Sequence, residues 1–350
     1  MELTQQIEQL RRGRRTEFSA ISGYNYYKVP EVLPEQGAFP ALHRPSGVVY
    51  RMEPGLVLNI WEAEQQLLWY RDFILKPAPK KWIDWPVDLV RIRTGEGRTA
   101  RDRLYYVFLH RPMPGLVPFK KLLYADKRRD HLDWRTEDAV RRTAMGLLRA
   151  LDALHSSGYT YNDFNINRMC YEPGTERVFL LHTDAVRKYG DDSARNDVAP
   201  GQAAVEFAPP AEGVDRDLFA AAAILFRLMI GRLPYQGWPI EQNTHVFDSN
   251  YWDLDREDAY RSYFERYQSI GCFVFDPTDD SNRLSPGYED DLPRERWEAL
   301  PERIRTMFTD VLAYTDPQKQ DRMVLYTPKQ WIAALEHCCW KKVEGETRDE

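Results

Sequence analysis

A proline- and glycine-rich segment, Arg111-Pro112-Met113-Pro114-Gly115, divides the sequence into two parts of different character. Before it, short runs of β-branched and aromatic residues predict strands, and after it apolar residues recur at helical spacing. A chain of 350 residues is long enough for a two-lobed unit or for two small domains. The sequence therefore predicts an α+β fold in which a small β-rich lobe precedes a larger α-helical lobe.

The β-rich lobe is predicted to span residues 37–111, after an N-terminal extension at residues 1–36. The polar first part of that extension is expected to be helical or frayed. The sequence Glu53-Pro54-Gly55 lies between two β-branched runs, which is typical of a hairpin turn. The predicted elements of this lobe are strands at Val48–Met52, Leu56–Trp61, Val87–Ile92 and Tyr105–His110, and one helix at Glu62–Leu75.

The α-helical lobe is predicted to span residues 112–340, followed by a polar tail at residues 341–350. Thr136 is a good N-cap for a helix, and apolar residues behind it follow helical spacing as far as Leu154. The run Asp217–Ile230 is apolar on nearly every side, which predicts a buried central helix. The other predicted elements are a hairpin at Met169–Tyr171 and Val178–Leu181, helices at Arg256–Tyr267, Arg294–Tyr314 and Pro328–Cys338, and a polar loop at Asp276–Asp291.

Charge and cysteine content argue against several classes of protein. The net charge is −6, so no global basic field would attract nucleic acid or an anionic membrane. The four cysteines form no C-x-x-C pair, which argues against a zinc site or a disulfide framework. The N-terminus has no apolar signal region, and the longest apolar run, Leu218–Ile230, is too short to span a bilayer. We therefore expect a cytoplasmic protein that binds neither nucleic acid nor membrane.

Four motifs in the second part occur in the order in which protein kinases carry them. They are LHSSGYTYNDFNINRMCY for the catalytic loop, VFLLHTDAV for the strand entering D-F-G, FAPPAE for A-P-E, and DRDLFAAAAILFRLMIGRLPYQG for the helix beyond it. The resemblance implies that Asp163 orients the acceptor hydroxyl and that Asp184 binds the metal ion. It also implies that Asp217 accepts hydrogen bonds from the catalytic-loop backbone. Finally, it implies a largely buried ion pair between Glu212 and Arg322.

A finer resemblance covers residues 40–340. The segments WPVDLVRI, CFVFDP, LPERIRTMF and PKQWIAAL are similar to a bacterial branch of the eukaryotic-like Ser/Thr protein kinase family. Members of that branch are associated with von Willebrand factor A proteins and metal-dependent phosphatases. The resemblance implies a two-lobed protein-kinase-like fold with ATP and Mg²⁺ as candidate ligands.

Several positions that phosphoryl transfer needs carry a different residue. Asn59 stands where the strand resembling V-A-I-K should end in lysine, and a neutral amide cannot neutralise phosphate charge. Arg168 falls on the asparagine position of the catalytic loop, and a cation does not ligate Mg²⁺. Gly47 is the only glycine in RPSGVVYRM, the segment expected to cover the nucleotide. These changes predict a pseudokinase with weak or no phosphoryl transfer, acting as a regulatory or scaffolding partner of another protein.

The alternative is an active ATP-dependent Ser/Thr protein kinase whose cations have moved. Arg51 could swing toward the phosphates, and Arg168 could contact phosphate in place of a second Mg²⁺. Asn167 is one position from the metal-ligand site and could reach it. The less specific interpretation is that Arg51 is a solvated strand residue and that Arg168 pairs with a carboxylate of the activation segment. A kinase-like enzyme that catalyses another transfer, such as nucleotidylation, is a third possibility.

The resemblance also places the nucleotide. If the chain binds ATP, the adenine is expected to lie under the strands Val48–Met52 and Leu56–Trp61. It should also contact the hinge at Leu109–Met113, where Leu109 and Met113 are the candidate binding residues. The phosphates should then point toward Asp184, with Mg²⁺ between them.

Overall fold

The chain forms an α+β structure that divides into two compact units. Residues 1–114 and 182–184 make up the first unit, and residues 115–181 and 185–350 make up the second. The structure is a computed structural model, and it describes residues 16–19, 26–30, 39–58, 76–94, 101–109, 115–123, 137–162, 166–181, 183, 186–190, 213–235, 237, 272–284, 288–313 and 322–337, with scattered positions between 61 and 74.

A six-stranded antiparallel sheet forms the body of the first unit, counted over the residues described. Its strands are β1 (Thr16–Ser19), β2 (Tyr26–Val29), β3 (Phe39–His43), β4 (Val49–Leu58), β5 (Pro86–Thr94) and β6 (Arg101–Leu109). Their order in the sheet is β1-β2-β3-β4-β6-β5. Because β1 also lies beside β5, the sheet curls until its two edge strands approach each other.

One face of this sheet is an apolar core. Side chains alternate between the two faces of a strand, so Met52 on β4 shares a face with Tyr105 and Val107 on β6. Tyr27 and Phe39 join this cluster from β2 and β3, and all five side chains are buried.

The opposite face of the sheet packs against a helix. The described residues between positions 61 and 74 are helical, in agreement with the helix predicted at Glu62–Leu75. The Tyr106 hydroxyl donates to the Tyr70 hydroxyl at 2.9 Å, which ties β6 to this helix. Phe73 stacks on Trp85 with ring centroids 3.9 Å apart. Aromatic packing therefore fixes the helix on the side of the sheet that carries Arg51.

Two strands of the sheet come from the segment that the sequence predicted to be an extension. The strands β1 and β2 both lie within residues 1–36. Tyr27 and Val29 on β2 are buried at 1% and 0% exposure, so this part of the chain belongs to the core. The expectation of a helical or frayed segment is wrong for β1, because a polar strand can be stabilised by pairing that its own sequence does not reveal.

The predicted hairpin turn at Glu53-Pro54-Gly55 is also wrong. The strand β4 continues through these residues as one strand of ten. The register of β4 against β6 shifts between Pro54 and Val57, which marks a β-bulge. Proline cannot donate a ladder hydrogen bond and glycine allows a close approach, so this dipeptide suits a bulge as well as a turn. The sequence reading took one strand with a bulge for two strands.

The second unit contains five α-helices whose bounds the structure describes. They are α1 (Glu137–His155), α2 (Gly213–Ile230), α3 (Tyr288–Ala299), α4 (Glu302–Leu312) and α5 (Pro328–Glu336). Short strands accompany them: β7 (Val117–Pro118), β8 (Tyr159–Thr160), β9 (Met169–Glu172), β10 (Arg177–Leu180) and β11 (Arg187–Lys188). The predicted hairpin is confirmed, since β9 pairs with β10 in antiparallel register.

The central helix predicted for the second unit is confirmed as α2. Every residue of α2 from Asp217 to Ile230 is buried, including the charged Asp217 and Arg227. Phe226 packs against Phe273 and Phe308, so α2 holds both the segment before α3 and α4 itself. In the described part of the chain, none of the helices combines the length and apolar character that crossing a membrane requires.

A single helix predicted at Arg294–Tyr314 is instead two helices. The helix α3 ends at Ala299 and α4 begins at Glu302, with Pro301 in the N-cap position. Proline disfavours the helical conformation of the residue before it, here Leu300, so the chain breaks at that point. The predicted helix at Arg256–Tyr267 lies outside the described residues.

Asp102 on β6 offers a test of the first unit's electrostatics. Its carboxylate is fully buried and accepts hydrogen bonds from Arg93 (Nε at 3.0 Å) and Arg91 (Nε at 2.8 Å). Hydrogen bonding from Arg93 lowers the pKa of Asp102, although burial works in the opposite direction, and Arg91 adds to the lowering. A carboxyl whose pKa is depressed in the folded state stabilises above its unfolded pKa, and this stabilisation is lost as the pH falls.

We therefore expect Asp102→Asn to lower the free energy of unfolding at neutral pH by about 1–2 kcal/mol. The loss of stability on acidification from about pH 5 downward should become shallower than in the wild type. Urea titrations across this pH range measure both effects. Asp138→Asn is the control, because Asp138 also pairs with two arginines but its carboxylate is only half-buried. An equal loss of stability in the two variants would contradict the argument.

Candidate functional site

The carboxylate of Asp217 organises the loop that follows β8. Asp217 is fully buried near the start of α2. Its Oδ2 accepts the backbone N–H of Tyr161 at 2.6 Å and its Oδ1 accepts that of Asn162 at 2.8 Å. The Nε2 of His155, the last residue of α1, donates to Oδ2 at 2.9 Å. A buried carboxylate is tolerated only when its oxygens are satisfied in this way.

This loop bends sharply at the residue that precedes Asp163. Asn162 has a φ of 60°, in the left-handed region that side chains other than glycine rarely adopt. Its side-chain amide donates to the Thr160 hydroxyl at 2.7 Å, and such local hydrogen bonding is how asparagine tolerates this conformation. The two hydrogen bonds from Asp217 hold the bend from the other side. The backbone of Tyr161 and Asn162, the two residues before Asp163, is therefore held in place.

The hydrogen bonds that the resemblance implies for Asp217 are thus confirmed for Tyr161 and Asn162. His155 has a structural role in the same arrangement. Its ring joins the end of α1 to α2 and to the same loop. The apolar pattern of the helix could not reveal this contact, because it joins residues 62 positions apart.

A second set of contacts ties this loop to Leu181, the residue that follows β10. The Tyr161 hydroxyl donates to the backbone carbonyl of Leu181 at 2.9 Å. The backbone N–H of Leu181 in turn donates to the carbonyl of Arg168 at 2.8 Å. The backbone carbonyl and the backbone N–H of Leu181 are therefore both bound by the loop that carries the predicted catalytic positions.

In the first unit, Arg51 on β4 forms a partly buried cluster with two carboxylates. Its Nε donates to Glu53 Oε1 at 2.6 Å, and its Nη2 donates to the Asp84 carboxylate. The guanidinium also lies over the ring of Phe108, 4.9 Å from the centroid. Burial alone would lower the pKa of Arg51, but the charges of Asp84 and Glu53 outweigh it and raise that pKa. Arg51 is therefore a held cation and not the solvated strand residue of the less specific interpretation.

Asp84 links this cluster to the predicted metal-binding segment. Its backbone carbonyl accepts a hydrogen bond from the hydroxyl of Thr183, a fully buried residue of the same unit. Thr183 immediately precedes Asp184 in the chain. Arg51 and Thr183 thus both bind the same residue, Asp84.

Several predicted site residues are not described, or only in part. Asp163, Asp184, Asn59 and Met113 lie outside the described residues. Leu109 ends β6, Asn167 and Arg168 belong to a short 3₁₀ turn at Ile166–Arg168, and Gly47 lies in the turn between β3 and β4. Gly47 has a φ of 69°, so this turn needs a residue that adopts the left-handed region easily. Nucleotide contact by these residues stays a prediction.

The predicted ion pair between Glu212 and Arg322 is wrong in one respect. Arg322 is exposed, so it cannot be half of a largely buried pair. Glu212 lies outside the described residues. The motif placed Arg322 by spacing alone, and spacing does not report whether a long side chain turns inward or snorkels to water.

Sequence reasoning missed the residues that hold Arg51. Glu53 was placed in a predicted turn, and no role was assigned to Asp84 or Thr183. The only available signal was the alternation of Arg51 and Glu53 on one strand face, which the supposed turn concealed. No family model matches the chain, and no curated protein matches it either.

Proposed function

We propose that the chain is a protein-kinase-like protein of the pseudokinase type. It would act through contacts with a protein partner and transfer phosphate weakly or not at all. The observation that carries the proposal is the buried carboxylate of Asp217, which binds the backbone at Tyr161 and Asn162. That contact is the one the resemblance to kinases implies for the loop bearing Asp163. A buried carboxylate in an apolar helix destabilises the protein unless hydrogen-bond donors satisfy it. Here the backbone of the loop supplies those donors.

The order of elements supports the kinase-like part of the proposal. A strand-rich first unit with helical residues between β4 and β5 precedes a helical second unit built around the buried α2. The resemblance to the eukaryotic-like Ser/Thr kinases implies the same succession.

The surroundings of Arg51 support weak or absent phosphoryl transfer. Arg51, Glu53 and Asp84 together carry one positive and two negative charges, and the two carboxylates already bind the guanidinium. A phosphate group is an anion and must compete with them for the same donors. With Asn59 in place of the expected lysine, Arg51 is the cation available to the phosphates in this proposal.

One observation favours the alternative, an active kinase that uses ATP and Mg²⁺. Arg51 is a partly buried cation on the strand before the helical residues, and Asp84 joins it to Thr183, next to Asp184. In that reading Arg51 and Arg168 replace the missing cation and ligand, and Asp163 and Asp184 keep the roles that the resemblance implies.

Transfer of label from γ-labelled ATP with Mg²⁺, to the chain itself and to a general protein substrate, separates the two readings. We expect the wild type to incorporate no more label than Asp184→Asn. Weak binding here means a Kd in the millimolar range. A ligand at a concentration equal to its Kd stabilises a protein by about 0.4 kcal/mol, so millimolar MgATP should raise Tm by no more than about 2 °C.

Incorporation by the wild type that is lost in both Asp163→Asn and Asp184→Asn would replace the proposal with the alternative. An experimental structure in which Asp217 does not bind the backbone of Tyr161 and Asn162 would contradict both readings.

A further inference from the structure

The Asp84 carboxylate binds the guanidinium of Arg51 as an anionic ligand would. The guanidinium has a planar fork of N–H donors that fits carboxylate and phosphate oxygens alike. Glu53, two residues away on β4, binds Nε, and Asp84 binds the terminal nitrogen Nη2. Because a terminal nitrogen is the one that a diffusing anion reaches most readily, Asp84 holds the part of Arg51 best suited to an external ligand.

The two carboxylates differ in how firmly their position is fixed. Glu53 belongs to a strand paired on both sides, by β3 and β6, and its side chain is 9% exposed. Asp84 comes from the irregular segment 76–85, which has no regular helix or strand, and its side chain is 13% exposed. Arg51 itself keeps 18% of its side chain exposed. Asp84 is therefore the more exchangeable partner of a cation that solvent still reaches.

We infer that the Asp84 carboxylate is a built-in competitor that occupies Arg51 in place of a phosphate group. The inference rests on the proposed function, because it concerns the same cation. The ligand it excludes is the phosphate part of a nucleoside di- or triphosphate. An intramolecular carboxylate has a high effective concentration, so it suppresses an external anion even when each contact is individually no stronger.

This arrangement gives the site a regulatory property. Any movement of the segment 76–85 that withdraws Asp84 would free Arg51 for phosphate. The carbonyl of Asp84 binds Thr183, so the same movement also acts on the segment leading into Asp184. Nucleotide binding and the position of Thr183 are therefore coupled through one residue.

Asp84→Asn tests the inference with little structural change. The substitution removes the charge but retains the backbone carbonyl that binds Thr183. We expect Asp84→Asn to bind sodium pyrophosphate, and MgATP, at least about tenfold more tightly than the wild type by calorimetry, since one intramolecular competitor at millimolar effective concentration is removed. A gain with both ligands indicates a phosphate site, and a larger gain with MgATP indicates that the nucleoside also binds.

Two controls connect the gain to Arg51. The double variant Asp84→Asn with Arg51→Gln should lose the gain completely. Asp138→Asn removes one carboxylate from an ion pair in the second unit, with the same change of net charge, and should bind as the wild type does. Thermal unfolding of each variant shows that it is folded.

If Asp84→Asn does not fold, Glu53→Gln releases another donor of the same guanidinium and should give a gain of at least about threefold, a smaller effect because Asp84 still occupies the terminal nitrogen. The inference is overturned if the folded variants bind pyrophosphate as the wild type does, or if the gain persists without Arg51. Its failure is distinct from failure of the proposed function, which is decided by phosphate transfer in the wild type.

Discussion

Replacement of Asp217 by alanine is expected to lower the free energy of unfolding by about 3–5 kcal/mol. The substitution removes the acceptor for the backbone N–H groups of Tyr161 and Asn162 and for the ring of His155. All of these groups are buried, so water cannot easily take the place of the carboxylate. The left-handed bend at Asn162 would also lose its support on one side.

Chemical denaturation of the wild type and of Asp217→Ala measures this loss. Asp215→Ala is the matched control, because Asp215 is an exposed residue in the first turn of the same helix and should change stability by less than about 0.5 kcal/mol. Asp217→Asn keeps one acceptor oxygen and should fall between the two. Comparable stability of Asp217→Ala and Asp215→Ala would show that the three hydrogen bonds do not hold the loop.

The central helix and its aspartate could be predicted from the sequence. A run of apolar residues that surrounds the helix predicts burial, and burial of Asp217 then requires hydrogen-bond donors. The motif resemblance named the loop that supplies two of them. The apolar pattern predicted the burial of Asp217, and the motif predicted its hydrogen-bond partners. Both predictions were possible because this contact belongs to a recognisable arrangement of residues.

The cluster around Arg51 could not be predicted in the same way. Asp84 lies 33 residues from Arg51 and Thr183 lies 99 residues from Asp84, and neither belongs to a periodic segment. Whether Arg51 is solvated or held depends on how the segment 76–85 folds back on the sheet. Only tertiary structure reports that, which is why both sequence interpretations of Arg51 remained open.

The strand β4 shows a different limit. Proline followed by glycine is typical of a turn, but here Gly55 serves a close approach between strand and ring. A Cβ at Gly55 would lie 2.5 Å from Cε2 of Tyr106 and 2.9 Å from the backbone oxygen of Leu104. The same dipeptide is compatible with a hairpin turn and with a β-bulge. The bulge forms here because β6 pairs with β4 on both sides of it.

Gly55→Val should consequently destabilise the protein by about 3 kcal/mol, although valine generally favours strands. The added methyl groups would meet the ring of Tyr106, whose hydroxyl bonds to Tyr70 at 2.9 Å and which cannot move without breaking that bond. The clash with the backbone of Leu104 would in addition disturb the pairing of β4 with β6.

Gly47→Ala separates this steric cost from the general cost of losing a glycine. A Cβ at Gly47 would have no atom within 4 Å, so the expected loss of about 1–2 kcal/mol comes only from its left-handed backbone conformation. Urea titration of both variants gives the comparison, and near-ultraviolet circular dichroism should report displaced tyrosines in Gly55→Val alone. If residues 53–55 instead form an open turn, the side chain at position 55 has room and Gly55→Val should cost no more than Gly47→Ala.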